Sequence, residues 1–325
     1  MKDETGTPGL PGWASPRILD RSTVSRDVTV APGMCGTGLF VGQLGDWTWE
    51  AVSALCGVDV FAARNRQGEP AYLSFYYFRI RAGRRFHVGA LNFGDRLRVT
   101  SGLFNYGSES VLALHTVRRQ DSDTPVDEGP FDPEAFYAGK DEDCLYVENF
   151  NRWISRGRTG SNEDLVRSSP PDFHYAELPR LPAPHSPRAD YRNARTNRTF
   201  LDGEPPGRLP TGPTRLTYAV DATRDINGVG LLYFASYFSI TDWALLRHWR
   251  GLGRDVHDFM GRTVLDQRMC YLGNADPEAE LAVEVTGWVR PGAPHDEIVT
   301  VVLENTGTGQ VIAVSTLHVT AEGTQ

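Results

Sequence analysis

The chain has 325 residues, of which 40% are apolar and 23% charged, and its formal net charge is −8 at pH 7. A composition this close to the globular average predicts a sizeable core and room for two domains. The acidic balance, without a long basic run, argues against nucleic acid as a partner. No apolar stretch approaches the roughly 18 residues that would indicate a membrane-spanning helix, so no membrane association is expected.

The N-terminal residues 1–30 are rich in proline, glycine and charge and lack the apolar segment of a signal peptide, so we interpret them as a tail. The four cysteines are far apart and form no CxxC pair, which favours reduced thiols in a cytoplasmic protein. The histidines show neither HxxxH nor HxH spacing, so no metal site is predicted.

Two dense segments follow, separated by a stretch in which prolines concentrate. We place a first domain at 31–167, a proline-rich connection at 168–214 and a second domain at 215–325. Proline fixes φ and removes a backbone donor, so the connection is predicted to be extended.

The two dense segments resemble each other. MCGTGLFVGQLGDWTWEAVSALCG and INGVGLLYFASYFSITDWALLRHWRG each contain Gly-x-Gly, an apolar run, Asp-Trp and a closing glycine. This repetition predicts a duplicated unit with helices near 45–57 and 235–252. A possible capping box at Ser239 is an alternative start for the second helix.

Several strand-like segments follow each predicted helix. LNFGDRLRVTSG (91–102) matches LGNADPEAELAVEVTG (272–287) in outline, and SVLALHTV (110–117) matches QVIAVSTLHV (310–319). One helix followed by a run of long strands in each half predicts an α+β fold with two antiparallel sheets, each wrapped around a helix.

A glycine-rich entry, a long helix and a meander of strands resemble the hot-dog pattern. The stretch D-x-N-G-V-G-x-x-Y-F-A-x-Y-F is similar to a thioesterase-type hot-dog signature. Four segments resemble the bifunctional acyltransferase/decarboxylases of leinamycin-type polyketide biosynthesis, from about Gly33 onward: MCGTGLFVGQLGDWTWEAVSALC, PAYLSFYYFR, CLYVENFNRW and DQRMCYLGNAD. The resemblance implies a double hot dog.

The resemblance also implies an activity in antibiotic biosynthesis. Members of that family decarboxylate methylmalonyl-CoA and deliver a propionyl group to the phosphopantetheine thiol of an acyl carrier protein, without a metal or organic cofactor. A tyrosine is implicated in acyl transfer, and that role falls on Tyr72, with Tyr76 as the alternative within the same aromatic cluster. A homodimer is expected at the level of the family.

Tyr72 begins a predicted strand whose side chains alternate between two faces. Tyr72, Ser74 and Tyr76 are expected on one face, with Tyr77 on the other. A tyrosine nucleophile must lose a proton whose ordinary pKa is about 10, whereas a tyrosine hydrogen-bond donor needs no such change. Core packing, donation and covalent catalysis all remain open for Tyr72.

The Asn-Gly-Val-Gly entry to the second helix is a candidate substrate-binding segment. Decarboxylation of a thioester builds negative charge on the carbonyl oxygen, and backbone amides at a helix start stabilise such charge. We therefore expect Gly228, Val229 and Gly230 to present amides to that oxygen, and Asn227 either to bind substrate or to serve only in a turn. A plain strand-to-helix turn is the alternative, and the first copy, 36–38, is a weaker candidate.

Two acids and one polar segment receive structural interpretations. Asp46 and Asp242 resemble the general bases of some hot-dog thioesterases, but we favour a role as helix-terminal acids, because a base that activates water would hydrolyse the acyl group. Ser161 is expected to cap a short helix in SNEDLVRSSP, with no assigned chemistry. A thioesterase and a non-catalytic module that docks carrier proteins are the competing functions.

Overall fold

The computed structural model describes residues 16–83, 85–120 and 129–321. Across these residues twelve strands join into one antiparallel sheet. The strands are β1 Arg17–Ile18, β2 Thr23–Thr29, β3 Tyr72–Arg81, β4 Arg96–Asn105, β5 Ser110–Arg119, β6 Cys144–Arg156, β7 Leu165–Arg167, β8 Leu209–Ala219, β9 Arg262–Tyr271, β10 Glu280–Arg290, β11 Ala293–Asn305 and β12 Gln310–Ala321. The α-helices are α1 Thr37–Cys56, α2 Pro133–Ala138, α3 Arg188–Asn197, α4 Phe234–Gly251 and α5 Val256–Met260.

The strand order repeats on either side of the middle of the sheet. It runs β1-β2-β4-β5-β6-β3-β9-β12-β11-β10-β8, with β7 paired to β6. Outward from the middle, β3-β6-β5-β4-β2 mirrors β9-β12-β11-β10-β8, and each half is a strand, a long helix and four strands. The α+β double hot dog is thus confirmed, with one difference. The two sheets are continuous, because β3 and β9 pair from Tyr77–Cys270 to Arg81–Asp266.

The topology corrects one of the two strand matches. β4 and β10 occupy corresponding places, as the match of 91–102 to 272–287 predicts. The match of 110–117 to 310–319 is wrong by one strand, since β5 corresponds to β11 and β12 to β6. Buried strands with similar apolar patterns cannot be told apart by pattern alone.

Several element boundaries differ from those expected. Helix α1 begins at Thr37, two turns before the predicted start, whereas α4 begins at Phe234, one residue from its predicted start. Ser239 lies inside α4, so the capping box there is wrong. Strand β2 pairs with β4 although it lies in the predicted tail. Strand β8 begins within the predicted connection and tolerates its prolines because it is an edge strand.

Helices α1 and α4 pack against each other in a core shared by both halves. Glycines on α1 allow the close approach. A Cβ atom on Gly38 would lie 2.5 Å from Ser239 Oγ, and one on Gly45 would lie 2.1 Å from the ring of Phe234. These contacts run in opposite directions along the two helices, so the helices are antiparallel. The N-terminal half of α1 therefore lies beside the start of α4.

Candidate functional site

A cavity of about 670 Å³ lies where the two halves meet. Its wall combines the middle of α1, the start of β3 and the loop between them with the start of α4 and the end of β9. The segments in the wall are 60–64, 70–76, 227–229, 231–234 and 271–274, together with Asp46, Trp49, Ile154, Asn162, Glu163, Leu165, Tyr237 and Gln310. Most of the wall is aromatic or aliphatic, and its charged side chains are those of Asp46, Arg64 and Glu163.

Tyr72, the predicted catalytic residue, lies in this wall as the first residue of β3. Its backbone pairs with Ile154, and its half-buried side chain makes no hydrogen bond to another described residue. Tyr76 also borders the cavity, but its ring lies 4.6 Å from the Arg152 guanidinium carbon and 6.0 Å from the Tyr191 ring. The Tyr72 hydroxyl is therefore free to bond a ligand, which agrees with its expected role without testing it.

The alternation along β3 breaks before Tyr77. A β-bulge lies between Phe75 and Tyr77, so Tyr77 does not continue the buried face of Leu73 and Phe75. Tyr77 instead packs on the opposite face of the sheet, where its hydroxyl donates to Asp190 Oδ2 at 3.2 Å.

The Asn-Gly-Val-Gly segment forms a tight hairpin turn rather than the first turn of α4. Asn227 Oδ1 accepts from the amides of Val229 (3.2 Å) and Leu231 (2.9 Å), and the Asn227 carbonyl accepts from Gly230 N at 2.9 Å. Gly230 has a left-handed φ of +79°. The amides of Val229 and Gly230 are thus committed to the turn, which contradicts the expectation that they hold a thioester oxygen.

The same turn still borders the cavity. Asn227, Gly228 and Val229 line it, whereas Gly230 does not. Gly228 N makes no hydrogen bond among the described residues. In the first copy, none of residues 36–38 lines the cavity. Gly36 is the N-cap of α1, with φ +112°.

Asp46 is one of two acids in the cavity wall; the other, Glu163, accepts a hydrogen bond from Asn305. The Asp46 carboxylate makes no hydrogen bond or ion pair with another described residue, and Glu50 lies one helical turn further along α1. Burial, together with repulsion from Glu50, raises the pKa of Asp46 to about 6. Burial raises the pKa of Tyr233, and the negative charge of Asp46 adds to that rise. A carboxyl with this pKa can both accept and donate a proton near neutral pH.

Asp242 occupies a different environment. Its Oδ2 lies 2.8 Å from Arg262 Nη2, and both side chains are largely buried. Burial raises the pKa of Asp242, and the charge of Arg262 opposes that rise. Both acids lie in the middle of their helices, and neither α1 nor α4 has an acid in its first turn, so the expected helix-terminal role is wrong for both. Asp242 lies away from the cavity, whereas Asp46 borders it.

Asn162 and Glu163 also line the cavity, and sequence reasoning gave them no chemistry. The helix expected at Ser161 does not form; residues 159–164 make a turn between β6 and β7. Asn162 is only 2% exposed. A polar SNED cluster in a loop carries no signal that distinguishes a buried contact from a solvated turn.

No helix within residues 16–83, 85–120 and 129–321 is both long and apolar enough to cross a membrane. In those same ranges no three His, Cys, Asp or Glu side chains come together in a group able to hold a metal ion.

Comparison with solved structures places the fold among thioesterases. An acyl-ACP thioesterase from Bacteroides thetaiotaomicron aligns over 93% of this chain and 100% of its own, with 10% identity and a TM-score of 0.53. A putative oleoyl thioesterase from Lactobacillus plantarum aligns over 92% and 96%, with 11% identity and a TM-score of 0.55. The 12:0-ACP thioesterase from Umbellularia californica aligns over 94% and 99%, with 9% identity and a TM-score of 0.55. Identities this low establish the fold alone.

The sequence itself gives the narrower relationship. No curated protein matches the chain. The family described as the LnmK N-terminal Hot Dog Fold domain matches residues 25–202, more than half of the chain. That match contains Asp46, Tyr72 and Asn162, so most of one wall of the cavity comes from the matched region. The chain belongs to the family of the LnmK N-terminal hot-dog fold domain.

Proposed function

We propose that this protein decarboxylates methylmalonyl-CoA and transfers the resulting propionyl group to the phosphopantetheine thiol of an acyl carrier protein. The observation that carries the proposal is Tyr72, which lines the cavity between the halves and whose hydroxyl has no partner among the described residues. Family membership and the resemblance to the acyltransferase/decarboxylases of leinamycin-type pathways support it.

The charge distribution of the cavity suits loss of carbon dioxide. Arg64 is the cationic side chain in the wall as described, and it is exposed, with its Nη1 donating to the Gly68 carbonyl at 2.7 Å. A substrate carboxylate within the apolar part of the cavity would therefore lack a cationic partner. Burying an unpaired carboxylate is costly, and breaking the bond to C2 converts it to neutral carbon dioxide.

The residues of the wall can handle the charge and protons of both steps. The electron pair of the broken bond forms an enolate, whose oxygen Tyr72 would stabilise by donating its O–H. Transfer of a proton from the Asp46 carboxyl to C2 then gives the propionyl thioester and leaves Asp46 as a carboxylate. In the transfer step the carrier thiol would lose its proton to Asp46, the sulfur would attack the thioester carbon, and CoA would leave as a thiolate. A covalent acyl-tyrosine remains an alternative, in which Tyr72 would lose its proton and attack first.

Thioester hydrolysis is a second candidate, and Asp46 is the observation that favours it. An unpaired carboxylate in the cavity can act as a general base for water as well as for a thiol. The two functions differ in the nucleophile that reaches the thioester, so they predict different products from one substrate.

The test is incubation with methylmalonyl-CoA and a phosphopantetheinylated carrier protein, followed by mass spectrometry. A propionyl-carrier product supports the proposal, free methylmalonate supports hydrolysis, and unchanged reactants support a docking module without catalysis.

Tyr72→Phe and Tyr76→Phe form a matched pair on the same strand, since each removes one hydroxyl. We expect Tyr72→Phe to lower acyl transfer by roughly a hundredfold, as for loss of an oxyanion donor, and Tyr76→Phe to leave it nearly unchanged. Normal transfer by Tyr72→Phe would make Tyr72 a packing residue and move the assignment to Tyr76.

A further inference from the structure

The turn at Asn227–Gly230 belongs to the second half of the chain, but the first half holds it in place. The residues that hold it are Arg156, at the end of β6, and Asn162, in the turn that follows. Both precede the proline-rich stretch and reach the turn across the boundary between the halves.

Two consecutive carbonyls of the turn accept hydrogen bonds from these residues. Arg156 Nη2 donates to the Val229 carbonyl at 2.8 Å, and Asn162 Nδ2 donates to the Gly230 carbonyl at 2.7 Å. Arg156 Nη2 also donates to Asn162 Oδ1 at 3.1 Å, so the two side chains support each other.

Asn162 is itself rigidly held. Its Nδ2 also donates to the Ala275 carbonyl at 3.0 Å, and its backbone amide donates to Asp276 Oδ1 at 2.8 Å. The other carboxylate oxygen of Asp276 accepts from Ser161 Oγ at 2.8 Å. Asn162 is 2% exposed and uses both of its side-chain polar atoms: Nδ2 links the turn to the segment that follows β9, and Oδ1 accepts from Arg156.

We infer that Asn162, supported by Arg156, is a positioning residue that sets the second-half wall of the acyl-thioester site by holding the Val229 and Gly230 carbonyls. The inference rests on the proposed function for the identity of the ligand. The turn places Asn227, Gly228 and Val229 at the cavity, so a shift of its backbone moves that wall directly. Misplacement by about 1 Å lowers the efficiency of an active site by up to roughly a hundredfold.

Asn305 provides a matched control. It is an asparagine with the same 2% exposure, and it also bonds across the halves to the same segment, since its Nδ2 donates to Glu163 Oε1 at 2.7 Å. It makes no hydrogen bond to the 227–230 turn. Asn162→Ala and Asn305→Ala therefore remove similar buried bonds, and only the first releases the turn.

The experiment compares wild type, Asn162→Ala and Asn305→Ala, using propionyl-CoA as the probe and calorimetry as the measurement. Hydrogen exchange of the Gly230 and Leu231 amides is followed in parallel. We expect Asn162→Ala to weaken propionyl-CoA binding about tenfold, which is 1.4 kcal/mol, and to speed exchange of both amides. In turnover assays KM should rise more than kcat falls. Asn305→Ala should lower the melting temperature without weakening propionyl-CoA binding or speeding exchange of the Gly230 and Leu231 amides.

Wild-type affinity and protected turn amides in Asn162→Ala would overturn the inference. If Asn162→Ala does not fold, Arg156→Met takes its place, because it removes the bonds to the Val229 carbonyl and to Asn162. Its propionyl-CoA affinity and its exchange of the turn amides are then compared with those of the wild type. Failure of the wild-type protein to bind propionyl-CoA would count against the proposed function instead, and the exchange rates would still decide whether Asn162 holds the turn.

Discussion

Asp46 on α1 and Asp242 on α4 begin the same Asp-Trp pair at corresponding places in the two halves, yet they lie in opposite electrostatic settings. Asp46 borders the cavity with Glu50 as its charged neighbour on the helix, whereas Asp242 is paired with Arg262 away from the cavity. The repeated motif thus preserves the position of a carboxylate but not its surroundings.

The difference arises in the segments that follow the two helices. After α1, residues 57–71 form a loop whose residues 60–64 and 70–71 line the cavity. After α4, the shorter segment 252–261 contains α5, and the buried Phe259 lies beneath Arg262, with 3.6 Å between the ring and the guanidinium carbon. The first connection leaves space for a ligand beside its acid, whereas the second packs Phe259 against Arg262, the first residue of β9, which pairs with the other acid.

The largest expected effect is on turnover. Asp46→Asn should lower transfer, or hydrolysis, by roughly a thousandfold, because it removes the proton acceptor in the cavity. Asp242→Asn should leave turnover close to that of the wild type while lowering stability. Rates measured by mass spectrometry of the acylated carrier decide the matter, and similar losses in both variants would show that the two acids are not functionally distinct.

The next largest effect is on stability. Arg262→Met should lower the free energy of unfolding by about 3 kcal/mol, because it leaves the Asp242 carboxylate largely buried without its partner. The control is Arg215→Met, which removes an exposed pair with the same 2.8 Å distance to Glu284 and should cost under about 1 kcal/mol. Urea denaturation measures the free energy of unfolding of both variants. Equal losses in the two would contradict the prediction.

A smaller effect on stability distinguishes Gly230 from Gly228, the two glycines of the second Gly-x-Gly copy. Gly230→Ala should lower the free energy of unfolding by about 1 kcal/mol, because an alanine is strained at φ +79°. Gly228 has a negative φ and open space around its Cβ position, so Gly228→Ala should change stability far less. Thermal unfolding tests both, and turnover that collapses in Gly230→Ala without a loss of stability would restore a direct catalytic role for this glycine.

A further effect, of a different kind, is a pH dependence of stability. The pKa of Asp46 is raised from 3.8 to about 6 on folding, so the native state binds its proton more tightly than the unfolded chain. Its contribution therefore declines as pH rises from about 4 to 6 and stays unfavourable above that range. Asp46→Asn should remove this decline and melt at a higher temperature than wild type at pH 7.5. An unchanged pH profile of the melting temperature would mean that Asp46 is not the perturbed acid.

The fold was predictable where sequence pattern and local structure coincide. The Gly-x-Gly to Asp-Trp repeat identified both long helices, and the strand runs that follow identified the two sheets. The two glycine pairs, however, serve different purposes: Gly38 allows α1 to approach α4, and Gly230 provides a left-handed turn in a hairpin. Both uses favour glycine, so the sequence alone could not separate them.

The site was predictable only in part, for a related reason. Tyr72 and Asn227 were identified from sequence and do lie at the cavity. Asn162 reaches Gly230 across 68 residues of chain, and the state of Asp46 depends on the lack of a cation that Asp242 possesses. Such contacts between distant segments leave no periodic pattern in the sequence.

The pairing of β3 with β9 has a consequence for synthesis of the chain on the ribosome. The edge of β3 that receives β9 is translated about 180 residues before its partner strand begins, which corresponds to roughly 10 to 40 s at ordinary elongation rates. During that interval a first half that has already folded presents an unpaired strand edge beside an uncovered apolar core. The nascent chain is therefore most prone to aggregation before β9 emerges, and shielding by chaperones matters most in that interval.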